Sequence, residues 1–173
     1  DEHITGLREL GAFIKVKDGL VNARIKDNKK KLIGSKIFLS CPSVGATETL
    51  IMAATLAKGS TVIENAAREP EIQDLCLMLN KMGAKIRGYG DSKIIIEGVE
   101  KLGGCEHTVI PDRIEAGTFL IASAATLSNI TIGPVIPNHL ESVLETLKAT
   151  GSKIFIKGNE ITIKTKVIKA VNI

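Results

Sequence analysis

The chain has 173 residues, 44% hydrophobic and 24% charged, which is enough apolar material for one folded domain or for parts of two. Only 3% of the residues are aromatic, so a nucleic-acid surface that stacks bases on exposed rings is not expected, whereas a net charge of +4 suits an anionic ligand. No apolar run reaches membrane-spanning length and no secretion signal is present, so we expect neither a membrane nor a nucleic acid as a partner.

The N-terminal part predicts a short helix, a glycine stop and a hairpin. Apolar residues at helical spacing occur at 7–10, Gly11 follows, and an alternating run on each side of Asp-Gly at 18–19 predicts two strands. The three lysines Lys29, Lys30 and Lys31 are predicted to form a solvated turn rather than a binding patch.

The next segment contains the same order of elements in full. An apolar run at 37–39 predicts a strand, and an Ala-rich and Leu-rich run at 47–56 predicts a helix, with a strand at 61–63 after it. Pro70 is placed to begin a second helix, which Gly83 ends in the left-handed conformation before two further strands.

The last third of the chain repeats this order. A helix is predicted at 115–127 and a strand at 130–132, Pro137 precedes the second helix, Gly151 ends it, and Gly-Asn at 158–159 supplies a hairpin turn. The repeating unit of about sixty residues is helix–strand–helix–strand–strand with a strand ahead of it. The sequence therefore predicts an α/β (α+β) fold of repeated βαβαββ units packed in layers.

A turn of small residues links the strand at 37–39 to the helix after it. Pro42, Ser43, Val44 and Gly45 offer main-chain amides and a hydroxyl at a helix N-terminus, which is an arrangement that binds anions. The alternative is that Ser43 or Thr47 only caps the helix.

Two polar loops are the other candidate sites. Arg68, Glu69 and Glu71 follow a predicted strand and either face a ligand or form an exposed helix start, where the acids complement the helix dipole. Arg113 lies between two acids at the start of the next repeat and either clamps the domain boundary or faces a ligand.

The three cysteines have no metal-binding or disulfide spacing, which favours a reducing cytoplasm and no metal site. Cys76 lies in an apolar helical stripe and is predicted to be core. Cys105 and His107 are two residues apart, with no third group identified to orient the histidine, so a catalytic pair is not expected.

Four motifs together resemble one enzyme family, the UDP-N-acetylglucosamine enolpyruvyl transferases. They lie at 43–47, 64–72, 82–86 and 111–118, in the order and spacing of that family. The resemblance implies two domains, each an inside-out α/β barrel of three repeats, with the ligands in a cleft that closes over them. It implies transfer of the enolpyruvyl group of phosphoenolpyruvate to the 3-hydroxyl of UDP-N-acetylglucosamine, the first committed step of peptidoglycan synthesis, without a metal or organic cofactor.

The resemblance also implies roles for individual residues. The turn at 43–45 matches the segment that holds the diphosphate and sugar, and residues 1–3 match the end of a uridine-binding loop. The implied substrate-binding residues are Asp1, Glu2, His3, Pro42, Ser43, Val44 and Gly45. The residues implied to face the cleft are Cys41, Arg68, Glu69, Glu71 and Arg113.

Several family elements are missing from this sequence. The reactive cysteine of the family lies in a loop of the form G-x-C-x-x-G-x-R-P, which is absent, and Cys105 does not match it. The Lys-Asn pair, the proton-accepting Asp and the later arginines that hold phosphoenolpyruvate are also absent. Because the sequence starts without Met and stops within a repeat, we expect a central piece that is inactive by itself.

The same interpretation divides the chain between two domains. Residues 1–110 are expected to belong to the UDP-sugar-binding domain and residues 111–173 to the first repeat of the second domain. A repeat without its neighbours exposes an apolar face, which predicts self-association. The alternatives are a relative that acts on shikimate 3-phosphate and a non-catalytic module that binds a nucleotide sugar or a protein partner.

Overall fold

The computed structural model describes residues 1–25 and 31–172, which fall into two compact units. Unit 1 is Asp1–Thr108 and unit 2 is Val109–Ile173. Two lysines of the predicted solvated turn, Lys29 and Lys30, lie outside the described residues. Lys31 pairs with the carboxylate of Glu100 at 2.7 Å, and this contact lowers the pKa of Glu100.

Unit 1 opens with a helix and a hairpin, as predicted. The elements are α1 (Glu2–Glu9), β1 (Ala12–Lys17) and β2 (Leu20–Ile25). The strands pair antiparallel, with Lys17 opposite Leu20, so the turn consists of two residues. Asp18 and Gly19 both have positive φ, which gives the turn the twist that a tight hairpin requires.

One full repeat completes unit 1. Its elements are β3 (Lys36–Phe38), α2 (Val44–Thr55), β4 (Ser60–Glu64), α3 (Pro70–Lys81), β5 (Lys85–Arg87) and β6 (Lys93–Glu97). The strands form one sheet in the order β3-β4-β6-β5, in which β3 and β4 are parallel and the other pairs are antiparallel. The predicted alternation of the strands holds, because Ile63, Ile94 and Ile96 are fully buried on one face of this sheet.

Helices α2 and α3 cover the buried face of that sheet. Leu50 and Ile51 of α2 and Ile72 and Cys76 of α3 have no exposed surface. Burial raises the pKa of the Cys76 thiol to about 12, so this cysteine is an inert part of the core, as predicted.

Unit 2 is a second copy of the repeat with its own core. It contains α4 (Arg113–Ala125), β7 (Asn129–Ile132), a 3-10 turn (Pro137–Leu140), α5 (Glu141–Ala149), β8 (Lys153–Lys157) and β9 (Glu160–Lys164). Its antiparallel sheet has the order β7-β9-β8. The glycines after α3 and α5, Gly83 and Gly151, have φ of 102° and 103° and end both helices in the predicted left-handed conformation. The predicted repeated α/β architecture is therefore confirmed.

The backbone passes unusually close to itself where β6 ends. The amide of Gly98 donates to the carbonyl of Gly59 at 2.9 Å, and the next amide, of Val99, donates to the carbonyl of Thr55 at 2.9 Å. A Cβ atom at Gly98 would overlap the carbonyl oxygen of Ala57. Only glycine fits this crossing between the end of the sheet and the loop after α2.

We expect Gly98→Ala to destabilise unit 1 by at least about 2 kcal/mol, because the backbone of residues 57–59 must move away from the new methyl group. Chemical denaturation followed by circular dichroism measures the change. Gly104→Ala is the matched control, since no atom lies within 4 Å of a Cβ at that position. Equal effects of the two substitutions would contradict the packing argument.

Candidate functional site

The candidate site is built at the bend between β3 and α2. Leu39 is fully buried and its amide donates to the carbonyl of Glu64 at 3.1 Å, which continues the strand pairing one residue beyond β3. Ser40, Cys41 and Pro42 after it are exposed. The chain therefore leaves the core at Leu39 and reaches the surface of unit 1 before α2 begins.

Ser43 caps α2, and Thr47 does not. The hydroxyl of Ser43 accepts a hydrogen bond from the amide of Ala46 at 3.4 Å, with Ser43 itself in an extended conformation. Thr47 is fully buried, and its hydroxyl accepts instead from the amide of Ala67 at 3.1 Å. Of the two residues considered for capping, Thr47 was the wrong choice, because its side chain points into the core and holds the next loop.

Three successive amides at the start of α2 remain available for a ligand. Within the described part of the chain, no group accepts a hydrogen bond from the main-chain N–H of Ser43, Val44 or Gly45. They are half-buried and lie at the positive end of a 12-residue helix. Free N–H groups and the helix dipole together favour a bound anion.

Helix α1 brings two of the predicted residues to this bend. The carboxylate of Glu2 accepts hydrogen bonds from both the amide and the hydroxyl of Ser40. The Nδ1 atom of His3 lies 3.0 Å from the hydroxyl of Thr49, and the ring lies over Gly45, where an added Cβ would come within 3.3 Å of Cε1. Residues far apart in sequence therefore form one surface.

The remaining residues of the two segments have different environments. Asp1 caps α1, since its carboxylate accepts from the amide of His3 at 3.0 Å. Cys41 and Pro42 are exposed at the outer edge of the bend. The Cys41 side chain is thus accessible at the surface, whereas the Asp1 side chain faces its own helix.

The charge of Glu2 restricts where an anion can bind. The hydrogen bonds from Ser40 lower the pKa of Glu2, so its carboxylate is ionised at neutral pH. A fixed negative charge opposes an anion at the Ser40 end of the bend and favours one at the Val44–Gly45 end, where the free amides lie.

The polar loop after β4 is less exposed than the sequence suggested. Asn65 has a φ of 57° and its amide nitrogen donates to the carbonyl of Leu39 at 2.9 Å, which ties this loop to the bend. Ala66 and Ala67 are buried, whereas Arg68 is exposed. The predicted helix start is present, since α3 begins at Pro70, but it is only partly exposed, because Ala66 and Ala67 pack into the core.

The acidic residues of this loop lie at the N-terminus of α3. Glu69 is the N-cap residue without a side-chain capping bond, and its Oε2 atom is buried with no hydrogen-bond partner among the described residues. Glu71 lies in the first turn, where its charge complements the helix dipole. Arg113 is the first residue of α4 and belongs to unit 2, so it is in a different compact unit from the other candidates.

Sequence reasoning missed three polar partners. Ser40 and Thr49 hold Glu2 and His3, and no motif marks them. His107, considered only beside Cys105, has its Nε2 atom 2.9 Å from Asp74 on α3. The signal for Asp74 was its position on the polar face of a helix, which identifies no particular partner.

Neither a membrane helix nor a cluster of metal ligands is found in residues 1–25 and 31–172. None of the helices there is both long and apolar enough to cross a bilayer. No three His, Cys, Asp or Glu side chains are grouped there in a way that could hold a metal ion.

The family is shown by comparison with known proteins. The sequence model described as EPSP synthase (3-phosphoshikimate 1-carboxyvinyltransferase) matches residues 1–173. The chain belongs to this enolpyruvyl transferase family. Solved structures share the fold: the enolpyruvyl transferase NikO from Streptomyces tendae superposes with a TM-score of 0.77 at 23% identity, over 95% of this chain and 41% of NikO. An EPSP synthase from Acinetobacter baumannii gives 0.61 at 24% identity, over 98% of this chain and 40% of that one.

Closer relatives within the enolpyruvyl transferase family carry one name. A UDP-N-acetylglucosamine 1-carboxyvinyltransferase from Prochlorococcus marinus (strain MIT 9312) is 69% identical over all 173 residues. A protein of the same name from Synechococcus sp. (strain CC9605) is 53% identical over 99% of the chain. The chain spans only 38% and 40% of these two proteins.

The contact between Glu2 and Ser40 predicts a pH-dependent attachment of α1. Because the pKa of Glu2 is lowered in the folded chain, its contribution to stability is complete above the ordinary glutamate pKa and is lost as the pH falls through the lowered value. We expect Glu2→Gln to lower Tm at pH 7 and to have a smaller effect at about pH 3, where more of the Glu2 carboxyl is protonated.

Thermal unfolding at both pH values measures the effect, with Glu9→Gln as the control on the same helix, where the side chain is exposed. A decrease in Tm that is the same at both pH values would contradict the assignment.

Proposed function

We propose that the chain is part of an enzyme that transfers the enolpyruvyl group of phosphoenolpyruvate to the 3-hydroxyl of UDP-N-acetylglucosamine. A relative that carries this activity in its name is 69% identical, and that match extends over the whole chain. In this proposal the chain contributes to binding UDP-N-acetylglucosamine, and the residues for the chemistry lie in other parts of the longer protein. The enzyme would be cytoplasmic and would serve peptidoglycan synthesis, and through it cell shape and division.

One observation carries the binding role: the three amides of Ser43, Val44 and Gly45 at the start of α2 have no hydrogen-bond partners among the described residues. A diphosphate is the part of UDP-N-acetylglucosamine that such a helix N-terminus recognises. Glu2 and His3 on α1 border the same surface and would contact the nucleoside or the sugar. Pro42 and Cys41 would line the outer edge of this surface. Asp1 would not contact the ligand but would cap α1, the helix that positions Glu2 and His3.

The residues for the cleft are part of the same proposal. Arg68 is exposed beside the bend and offers a positive charge to a bound anion. Glu69 and Glu71 would face the cleft from the start of α3, and Arg113 from the second domain. In this proposal residues 1–110 and 111–173 belong to different domains of the enzyme.

Self-association of the isolated chain is proposed from the apolar surface of unit 2. Ile114, Phe119 and Ile121 of α4 are each more than half exposed. An uncovered apolar face of this kind favours association with a second copy. The shikimate 3-phosphate alternative has weaker support, because the relatives with 53–69% identity carry the UDP-N-acetylglucosamine name.

Val44→Pro tests the amide assignment without removing the helix. Val44 is the first residue of α2, where proline is well tolerated, and Ser43 before it is already extended. The substitution removes one N–H donor. We expect it to weaken binding of UDP-N-acetylglucosamine by about tenfold in a calorimetric titration, the value of one hydrogen bond to a charged group.

Val44→Ala, which keeps the N–H, is the matched control and should bind as the parent does. Unchanged binding by Val44→Pro would remove the amides from the site. No binding by the parent chain would favour a non-catalytic structural module instead.

The chain alone is expected to have no enolpyruvyl transferase activity, because no residue in its sequence matches the reactive cysteine loop of the resembled family. A colorimetric assay of phosphate release from phosphoenolpyruvate and UDP-N-acetylglucosamine measures this, with a full-length relative as the positive control. Turnover by the 173 residues would show that the chemistry has been assigned to the wrong part of the enzyme.

A further inference from the structure

The last segment of unit 1 follows one face of α3. Residues 98–108, called the strap below, contain no helix or strand. The amide of Gly103 nevertheless donates to the carbonyl of Met82 at 2.8 Å. The Cys105 sulfur lies 3.8 Å from the carbonyl of Met78, and the strap reaches Asp74 through His107.

The spacing of these contacts shows that the strap lies antiparallel to the helix. The helix positions 82, 78 and 74 are four residues apart, a rise of about 6.0 Å for each step. The strap positions 103, 105 and 107 are two residues apart, about 6.6 Å for each step in an extended chain. Because these two spacings are nearly equal, every second residue of the strap contacts the same face of α3.

The outermost contact is a shielded polar pair. The side chains of His107 and Asp74 are only 8% and 12% exposed. A carboxylate only accepts hydrogen bonds, so Nε2 of His107 is the donor in its hydrogen bond to Asp74. The ammonium group of Lys81 lies 3.5 Å from Nδ1, so the ring lies between a carboxylate and an ammonium group.

The inner end of the strap is held as well. The amides of Gly98 and Val99 donate to the loop after α2 and to the last residue of α2. Leu102 packs against the core cluster of unit 1. The strap is therefore held by hydrogen bonds near both ends and by the apolar contact of Leu102 between them.

The described residues of unit 2 include a matching contact at the end of the second helix but no counterpart of the Asp74–His107 pair. The amide of Lys169 donates to the carbonyl of Thr150 at 2.9 Å, and Thr150 ends α5 as Met82 ends α3. Ile168, just before Lys169, lines an apolar groove on α5, in the place that Leu102 takes in unit 1. The α5 residue that matches Asp74 in the repeat is Ser142, which has no charge. The strap is thus a feature of the repeat, whereas among the described residues the polar pair of Asp74 and His107 is particular to unit 1.

We propose that residues 98–108 are a latched strap that moves as part of unit 1, and that Asp74 and His107 are the latch. The pair holds the outer end of the strap on α3, one residue before unit 1 ends at Thr108. It therefore fixes the point at which the chain leaves unit 1. The segment that is held against unit 1 then extends to Thr108 rather than ending with β6.

Amide hydrogen exchange of the 173-residue chain tests the latch. In Asp74→Ala the exchange rate of the Gly103 amide, divided by that of the Ile94 amide in the core, is expected to rise by about tenfold. Asp74→Asn keeps an acceptor for Nε2 and should restore most of the protection. In a Cys41→Ser background, alkylation of Cys105 should accelerate in Asp74→Ala, since Cys76 is buried.

Glu106→Ala is the matched control, because this strap residue is exposed and should leave both readouts unchanged. Using the ratio of two amides separates release of the strap from a general loss of stability, which accelerates both amides alike. A ratio in Asp74→Ala equal to that of the parent would overturn the proposal, whether or not the variant is less stable overall.

Discussion

Burial of helix α2 is the constraint on which unit 1 depends. Leu50 has no exposed surface because α1 packs directly against it: a Cβ at Gly6 would lie 2.6 Å from the Leu50 methyl groups. Such close helix packing requires glycine at that position. The same contact brings Glu2 and His3 to the start of α2. The packing of the core and the assembly of the candidate site therefore have one cause.

The site is rigid because buried hydroxyls and amides hold its loops. Thr47 holds the loop after β4 through the amide of Ala67, and Asn65 holds the same loop to the carbonyl of Leu39. A polar group buried in a core must be paired, so these bonds are costly to break. The three amides that have no partner among the described residues therefore lie in a preorganised frame, which would lower the entropic cost of binding the proposed ligand.

Periodic features of the sequence predicted the fold better than they predicted the site. The helical stripes, Gly83, Gly151 and the hairpin turns depend on local preferences that one segment expresses alone, and each was predicted correctly. The turn of small residues before α2 was also recognisable in the sequence, whereas its role in binding an anion stays a prediction. The partners Ser40 and Asp74 were not recognisable, because their roles depend on which residues the sheet and α3 bring near them, and a single sequence contains no record of these distances.

The matching helices of the two repeats, α2 and α4, differ in how much of their apolar surface is buried. The buried pairs Leu50 and Leu120, and Ala54 and Ala124, match between α2 and α4. Between them Ile51 is fully buried, whereas its counterpart Ile121 is 52% exposed. The sequence of α4 is thus apolar on a second face that no described residue of unit 2 covers as α1 covers α2. Because repeats gain stability from their neighbours as well as from their own cores, the exposure of this second face of α4 supports the proposal that unit 2 associates through it.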